Sequence, residues 1–494
     1  MTRPARPFAV EFKPFSRRHQ PVKLLPLLGL LLVGGLAVSC KRGDPTPAEL
    51  VTARQQSDRA KDDAYQWYVK NTVGAYERIG KHDPQWDGDV KVAFNLIASA
   101  GANRPDVPAD WRQEIASLMK SAVDKGCADP YVRYAALRYG IVHLEKVSPS
   151  EAGALSEIVQ SLADSDYPPR LKLYAALRTA ETMRAALPAP DQQTQSQLFN
   201  IHAMIQSSLN QLFDAFQDRT TPPQELYEMC TDVLTLVDSD DQIPPGYWER
   251  IEGALRETRP KSDLVALLTG WSEIKAAWKA RGGGYANQVT AEGGRLFEEH
   301  LKLAEKALQS AWDRDSNDPQ PATLMLEVCT GLGKERPEME RWFQRAMLAA
   351  PNNHAACTGK LRYLEPMWFG SPEAMLAFGH ECVGNTNWSG TVPLVLVDAH
   401  DFFASFQETE AARSMYWRRP GVWPDIRAAF EEFFRRSPDD GIRRQTYVRF
   451  AYKCAAWDDL NAQLRLLGRV NYDEFGGQEA FAKMLADARE HAKP

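Results

Sequence analysis

The densest cluster of titratable residues in the chain is Asp398-Ala399-His400-Asp401. On a helix Asp398 and Asp401 share a face at i,i+3 spacing, while His400 points elsewhere. Two carboxylates near an imidazole supply one edge of a metal site. The same spacing also describes a polar helix face with a capping or core histidine, and that description asks for less. Phe297-Glu298-Glu299-His300 sets a histidine after two carboxylates. Neighbouring helical positions do not face each other, so this stretch reads as a solvated face. Glu431-Glu432 offers paired carboxylates without the third group that acid–base work needs. HExxH, GxSxG, Walker and EF-hand patterns are all missing, and the 9 histidines are scattered. The chain therefore singles out no catalytic residue, no metal ligand set and no cofactor.

Two further sets of residues stand out by type. Gly282, Gly283 and Gly284 interrupt a helical pattern. A glycine run makes a tight turn, a hinge or a phosphate cradle. A cradle needs a following Lys-Ser/Thr or a preceding strand, and neither is present, so a hinge or turn is expected. The chain also holds 13 tryptophans. Trp312, Trp342 and Trp457 occupy apolar helix positions and read as core. Trp368, Phe369 and Trp388 fall in loops, where they either anchor a partner or a sugar ring or pack onto their own hairpin.

Before any of this lies an addressing segment. Six basic residues up to Lys23 precede an apolar run of 15 residues, Leu24 to Val38, short of the ~20 that span a bilayer. Leu36-Ala37-Val38-Ser39-Cys40 resembles the lipobox of bacterial lipoproteins. The resemblance implies cleavage before Cys40 and lipidation of its thiol and new amino group. Lys41, where Asp would be the retention signal, then favours the outer membrane. A plain secretory signal or an uncleaved anchor are the alternatives. Ser16-Arg17-Arg18 is only faintly similar to a twin-arginine signal, since Gln20 stands where an aromatic belongs.

Composition narrows the partners. The chain has 494 residues, 44% hydrophobic and 25% charged, which suits two or three globular domains. Residues 1–39 hold six Lys/Arg and one acid; without them 53 basic and 64 acidic residues are left. An acidic body argues against nucleic acid, which needs clustered Lys/Arg. The cysteines other than Cys40 are widely spaced, with no CxxC pair, so no zinc site or disulfide framework is expected. Cys357 and Cys382 fall on two arms of one helical hairpin and are the best-placed pair.

The elements that must position these residues are helices. From residue 49 onward, apolar stripes at 3.6-residue spacing follow one another, separated by Pro, Gly, Asp, Asn and Ser. The first is expected as one helix over 49–80. VPLVLV at 392–397 is the one ambiguous run, and its flanks favour a buried helix. The expected fold is all-α, with a tether at 40–48, an N-terminal helical domain at 49–280 and a C-terminal one at 281–494.

A repeat lies within the second part. Ala304, Leu308, Ala311 and then DSNDP correspond to Met339, Phe343, Ala346 and then APNNHA. Ala311 and Ala346 are 35 positions apart, close to the ~34 of a tetratricopeptide repeat. Helix pairs of this length cannot bury a face alone, and stacking them builds a solenoid.

Trp278-Lys-Ala-Arg281-Gly-Gly-Gly-Tyr285-Ala286, Glu340-Arg-Trp342-Phe343-Gln-Arg-Ala346, Tyr363-Leu-Glu365-Pro-Met367-Trp368 and Met375-Leu-Ala-Phe378 carry a wider resemblance. The stretch 278–400, about a quarter of the chain, resembles an uncharacterised family of bacterial extracytoplasmic proteins with a tetratricopeptide-like helical domain. That resemblance implies a fold and supplies no catalytic residue. The expectation is a lipid-anchored envelope scaffold, uncertain as an enzyme and leaning away from one, that binds other envelope proteins or peptides. The alternative is an enzyme or carbohydrate-binding protein with its site in the crevice near Gly282–Gly284 and Trp368.

Overall fold

The computed structural model describes residues 47–141, 147–186, 192–238, 246–284 and 286–491, and among these there are helices and no strand. The series opens with α1 (Pro47–Asn71), α2 (Val73–Ile79), α3 (Asp87–Gly101), α4 (Trp111–Asp124), α5 (Pro130–Gly140) and α6 (Pro149–Ala163). It continues with α7 (Pro169–Ala185), α8 (Gln192–Gln217), α9 (Pro223–Asp238), α10 (Tyr247–Thr258) and α11 (Leu264–Arg281). Beyond the glycine turn come α12 (Ala291–Arg314), α13 (Pro319–Gly331), α14 (Arg336–Ala349), α15 (His354–Tyr363) and α16 (Pro372–Gly384). The last are α17 (Val395–Ser405), α18 (Glu410–Trp417), α19 (Val422–Arg436), α20 (Gly441–Lys453), α21 (Trp457–Leu466) and α22 (Gln478–Glu490).

Local chemistry starts these helices. Asp129, Asp318 and Ser371 each cap a helix whose first residue is proline, which has no amide hydrogen to leave unpaired. Ser148 and Glu151 form a reciprocal capping box on α6. Two details differ from expectation. The helix expected over 49–80 breaks into α1 and α2 at Thr72 (φ −117°, ψ −87°). There the Thr72 hydroxyl donates to the Tyr68 carbonyl at 2.8 Å and the Asn71 amide to that of Trp67 at 2.8 Å. Those side chains take over carbonyls at the end of α1. Residues 392–394 form a 3-10 turn that runs into α17. The short α18, capped by Thr409, joins α17 to α19.

Helices α7, α9, α11, α13, α15 and α17 each touch the next odd-numbered helix and make one layer. Their hairpin partners pack behind them. The fold is thus an all-α helical-hairpin solenoid. Both repeat copies sit on partner helices, α12 and α14, with Ala304, Leu308, Ala311, Met339, Phe343 and Ala346 all buried. Their aromatic ends meet, Trp312 to Trp342, at 6.0 Å between ring centroids. One continuous core runs from Val73 to Ala399 and passes through α11 and α12 on either side of the glycine turn. Two smaller cores continue it to Ala488.

The superhelix curls until distant turns meet. Arg469 Nε lies 3.2 Å from Asp110 Oδ2, and its Nη1 pairs with Glu114. The Gln113 amide donates to Asn471 Oδ1 at 3.2 Å.

Candidate functional site

Four places in the chain converge on one ring. Helix α11 supplies Trp278, α13 supplies Glu327, α15 supplies Arg362, and the turn after α15 supplies Glu365, Met367, Trp368 and Phe369. The Arg362 guanidinium lies over the Trp278 ring at 4.7 Å and that of Arg281 at 5.6 Å. Phe297 meets the same ring edge-on at 4.9 Å between centroids, and Trp368 at 6.1 Å. Aromatic edges and cations attract the ring face, so these contacts fix Trp278 from several sides. The turn itself is held by Tyr363, whose hydroxyl donates to the Lys334 carbonyl at 2.9 Å and whose ring stacks on Phe369 at 4.8 Å.

The electrostatics are unusual for a surface. Glu327 Oε1 lies 3.6 Å from Arg362 Nη1, and both side chains keep about a fifth of their surface open. Burial raises the Glu327 carboxyl above its ordinary range, only partly offset by Arg362. Burial pushes the Glu365 carboxyl up to about 7, again against the pull of Arg362. Partial burial of both carboxyls is what raises them, beside one guanidinium that pulls the other way. A carboxyl titrating near neutrality both donates and accepts hydrogen bonds. The same turn leaves two apolar side chains in the open, Met367 at 52% and Phe369 at 46% exposure.

Of the residues marked in the sequence, Trp368 and Phe369 join this cluster. Trp388 does not. It is buried, edge-on to Phe343 at 5.6 Å and to Phe378 at 6.5 Å, and its carbonyl accepts from Arg436. Gly282 takes φ +75° and closes α11 by donating to the Trp278 carbonyl at 3.0 Å. Arg281 reaches over the turn to the carbonyls of Gly282 and Gly284 at 3.3 and 3.0 Å. Cys40 lies outside the described residues.

The titratable clusters separate as their spacing suggested. Asp398 Oδ2 lies 2.8 Å from His354 Nε2, whose Nδ1 meets the Thr391 carbonyl at 2.9 Å. Burial opposes a charge on His354, but Asp398 prevails and raises its pKa. His400 faces the other way, between the Tyr416 hydroxyl at 2.8 Å and Asp425 at 3.1 Å, and burial lowers its pKa. Glu298 pairs with Lys302, Glu299 with Arg295, and His300 with Glu273 of α11, each at 2.6 Å. Glu431 and Glu432 pair with arginines of their own helix. Among the described residues no group of three or more His, Cys, Asp or Glu is placed to hold a metal ion. Also among them, no helix is long and apolar enough to cross a membrane.

No protein-family model matches the chain, and no curated protein matches it.

Proposed function

We propose that the chain is a lipid-anchored helical scaffold on the extracytoplasmic side of the bacterial cell envelope, binding other proteins or peptides at the Trp278–Trp368 cluster. The observation that carries this reading is the pair of exposed apolar side chains, Met367 and Phe369, on a turn held by stacked aromatics and arginines. Apolar anchors on a base that need not reorganise are what an interface hot spot requires. The anchor rests on the lipobox-like residues ending in Cys40, and Lys41 favours the outer membrane. The resemblance of residues 278–400 to extracytoplasmic helical proteins points to the same compartment.

The test is crosslinking in intact cells followed by capture, comparing wild type with a Met367→Ser, Phe369→Ser double variant. A discrete protein crosslinked to the wild type and lost from the variant supports the reading. An unchanged crosslinking pattern in a variant that melts normally sinks it. Anchoring is tested separately: Cys40→Ala should abolish incorporation of labelled acyl chains and release the protein from membranes.

One observation favours a second reading, a carbohydrate-binding protein or glycan-active enzyme in the same crevice. Trp368 offers an aromatic ring for a sugar, with the Glu365 carboxyl of the same turn to take its hydroxyls. Recovery of polysaccharide in place of a protein partner would move this reading to first place.

A further inference from the structure

Helices α16, α17, α18 and α19 bring four titratable side chains together around His400. His400 is buried in the middle of α17. Its Nδ1 lies 2.8 Å from the Tyr416 hydroxyl, near the end of α18. Its Nε2 lies 3.1 Å from Asp425 Oδ2, in the first turn of α19. The same Asp425 oxygen lies 3.5 Å from Nε2 of His380 on α16, a side chain half exposed to water. One carboxylate oxygen thus serves two imidazoles, one buried and one open.

These contacts fix the protons. A carboxylate only accepts, so the Nε2–H of His400 donates to Asp425. In a neutral imidazole Nδ1 is then the acceptor, and the Tyr416 hydroxyl donates to it. Burial pushes that hydroxyl up to about 12, so it keeps the proton it donates. Both nitrogens of the neutral ring are satisfied. A proton on Nδ1 makes the ring a donor on both sides. The buried Tyr416 hydroxyl must then accept and turn its own hydrogen elsewhere, while a charge enters the core. The other charges on the helices around α17 are engaged elsewhere. Glu381 of α16 faces Lys360 at 4.0 Å, and His354 of α15 takes Asp398 on the opposite side of α17. Glu410 and Arg413 of α18 pair at 2.8 Å, and Arg427 and Glu431 of α19 at 2.7 Å. Asp401 acts on Lys453 of α20, and Arg419 lies 5.1 Å from the Tyr416 ring. The 3-10 turn at 392–394, Val-Pro-Leu, brings no charge.

We propose that His400, Tyr416, Asp425 and His380 form an acid-sensitive latch, which holds α18 and the start of α19 against α17 while His400 is neutral and loosens them when a proton enters its ring. In water an imidazole takes that proton near 6.5; in place, burial opposes it against the pull of Asp425, and His380 adds to the opposition. Below 6.5 the released ring therefore gains a proton that the latched ring resists, so the latch weakens as pH falls. Well above that value both forms are neutral and nothing is lost. The latch lies on helices other than those that carry the Trp278 cluster, so it does not depend on the scaffold reading.

The test is amide hydrogen exchange on the full chain at pH 7.5 and pH 5, read as protection factors so that intrinsic rates cancel. In the wild type, residues 410–429 should lose protection roughly tenfold at the lower pH. His400→Gln keeps an amide to donate to Asp425 and does not titrate, so its loss should vanish. His380→Asn, at a half-exposed position, carries the test if the first variant does not fold. It removes the competing cation and should shrink the loss without abolishing it. The proposal is overturned if the wild type keeps its protection at pH 5, if folded His400→Gln loses protection as the wild type does, or if His380→Asn responds as the wild type does.

Discussion

Glu365→Gln is the sharpest perturbation of the aromatic cluster. Burial lifts the Glu365 carboxyl from its ordinary 4.5 to about 7. In the unfolded chain the group ionises near its ordinary value. Between those two values the unfolded state has lost its proton while the folded state keeps it, so stability falls as pH rises through this window. Below the window both states are protonated, and above it both are ionised, so the loss is complete by about pH 8. At ~1.36 kcal/mol per unit the full gap corresponds to about 3.4 kcal/mol. Partial exposure of the side chain lets solvent screen it, which reduces the expectation to about 1–2 kcal/mol. Glutamine keeps the shape and cannot ionise, so the variant escapes the loss. The assay is urea unfolding of both proteins at pH 4.5, 6 and 8. The variant should gain about 1–2 kcal/mol on wild type between the first and last pH. Parallel curves would refute the reasoning and show that Glu365 titrates as an ordinary surface carboxyl.

Other substitutions test the packing around that site. A Cβ on Gly270 would lie 2.5 Å from Leu308 Cγ, so Gly270→Ala should cost about 1–2 kcal/mol, overpacking outweighing the gain in helix propensity; a variant as stable as wild type by thermal unfolding would refute it. Leu308→Ala, fully buried at the same crossing, should cost about 2–5 kcal/mol in denaturant titration. Cys357 and Cys382 are both buried in the continuous core, and burial together with Cys357 raises the Cys382 thiol, so oxidised glutathione should couple them into a disulfide with release of two reduced glutathiones, seen as one crosslinked peptide by non-reducing mass spectrometry. Recovery of both thiols alkylated after that treatment would count against it. Arg469→Ala should cost no more than about 1 kcal/mol yet speed hydrogen exchange in residues 106–114, more so at low salt; unchanged exchange would dismiss the contact.

The helices and their hairpins were legible because their signals are local. Asp318-Pro319 and Ser371-Pro372 announce helix starts by chemistry confined to a few positions. Ala304, Leu308 and Ala311 announce a buried face by spacing alone. Trp368 was visible as a loop aromatic, and its partner Trp278 only through a resemblance. Glu327 and Arg362 carried no mark of their own, because their meeting is a property of two stacked inner helices. One signal did exist: they stand 35 positions apart, one repeat, and so occupy equivalent places on successive hairpins. Trp388 stayed open between two readings because a loop position says nothing about which way a ring turns, and here it turns inward onto Phe343 and Phe378. The break at Thr72 was hidden because side-chain bonds to Tyr68 and Trp67 override an unbroken apolar stripe.

The contact between Arg469 and the start of α4 changes the mechanics of the whole chain. An open solenoid is a spring: each hairpin feels only its neighbours, and unwinding can begin at either end. Here residues 355 positions apart are clasped, so neither the fourth helix nor the last hairpins can move outward alone. The spring becomes a hoop whose resistance to stretching is set by its weakest join. That join sets a half-exposed arginine on two carboxylates beside one amide hydrogen bond. It yields to salt before any apolar core does, which makes ionic strength the natural control on how far the hoop opens.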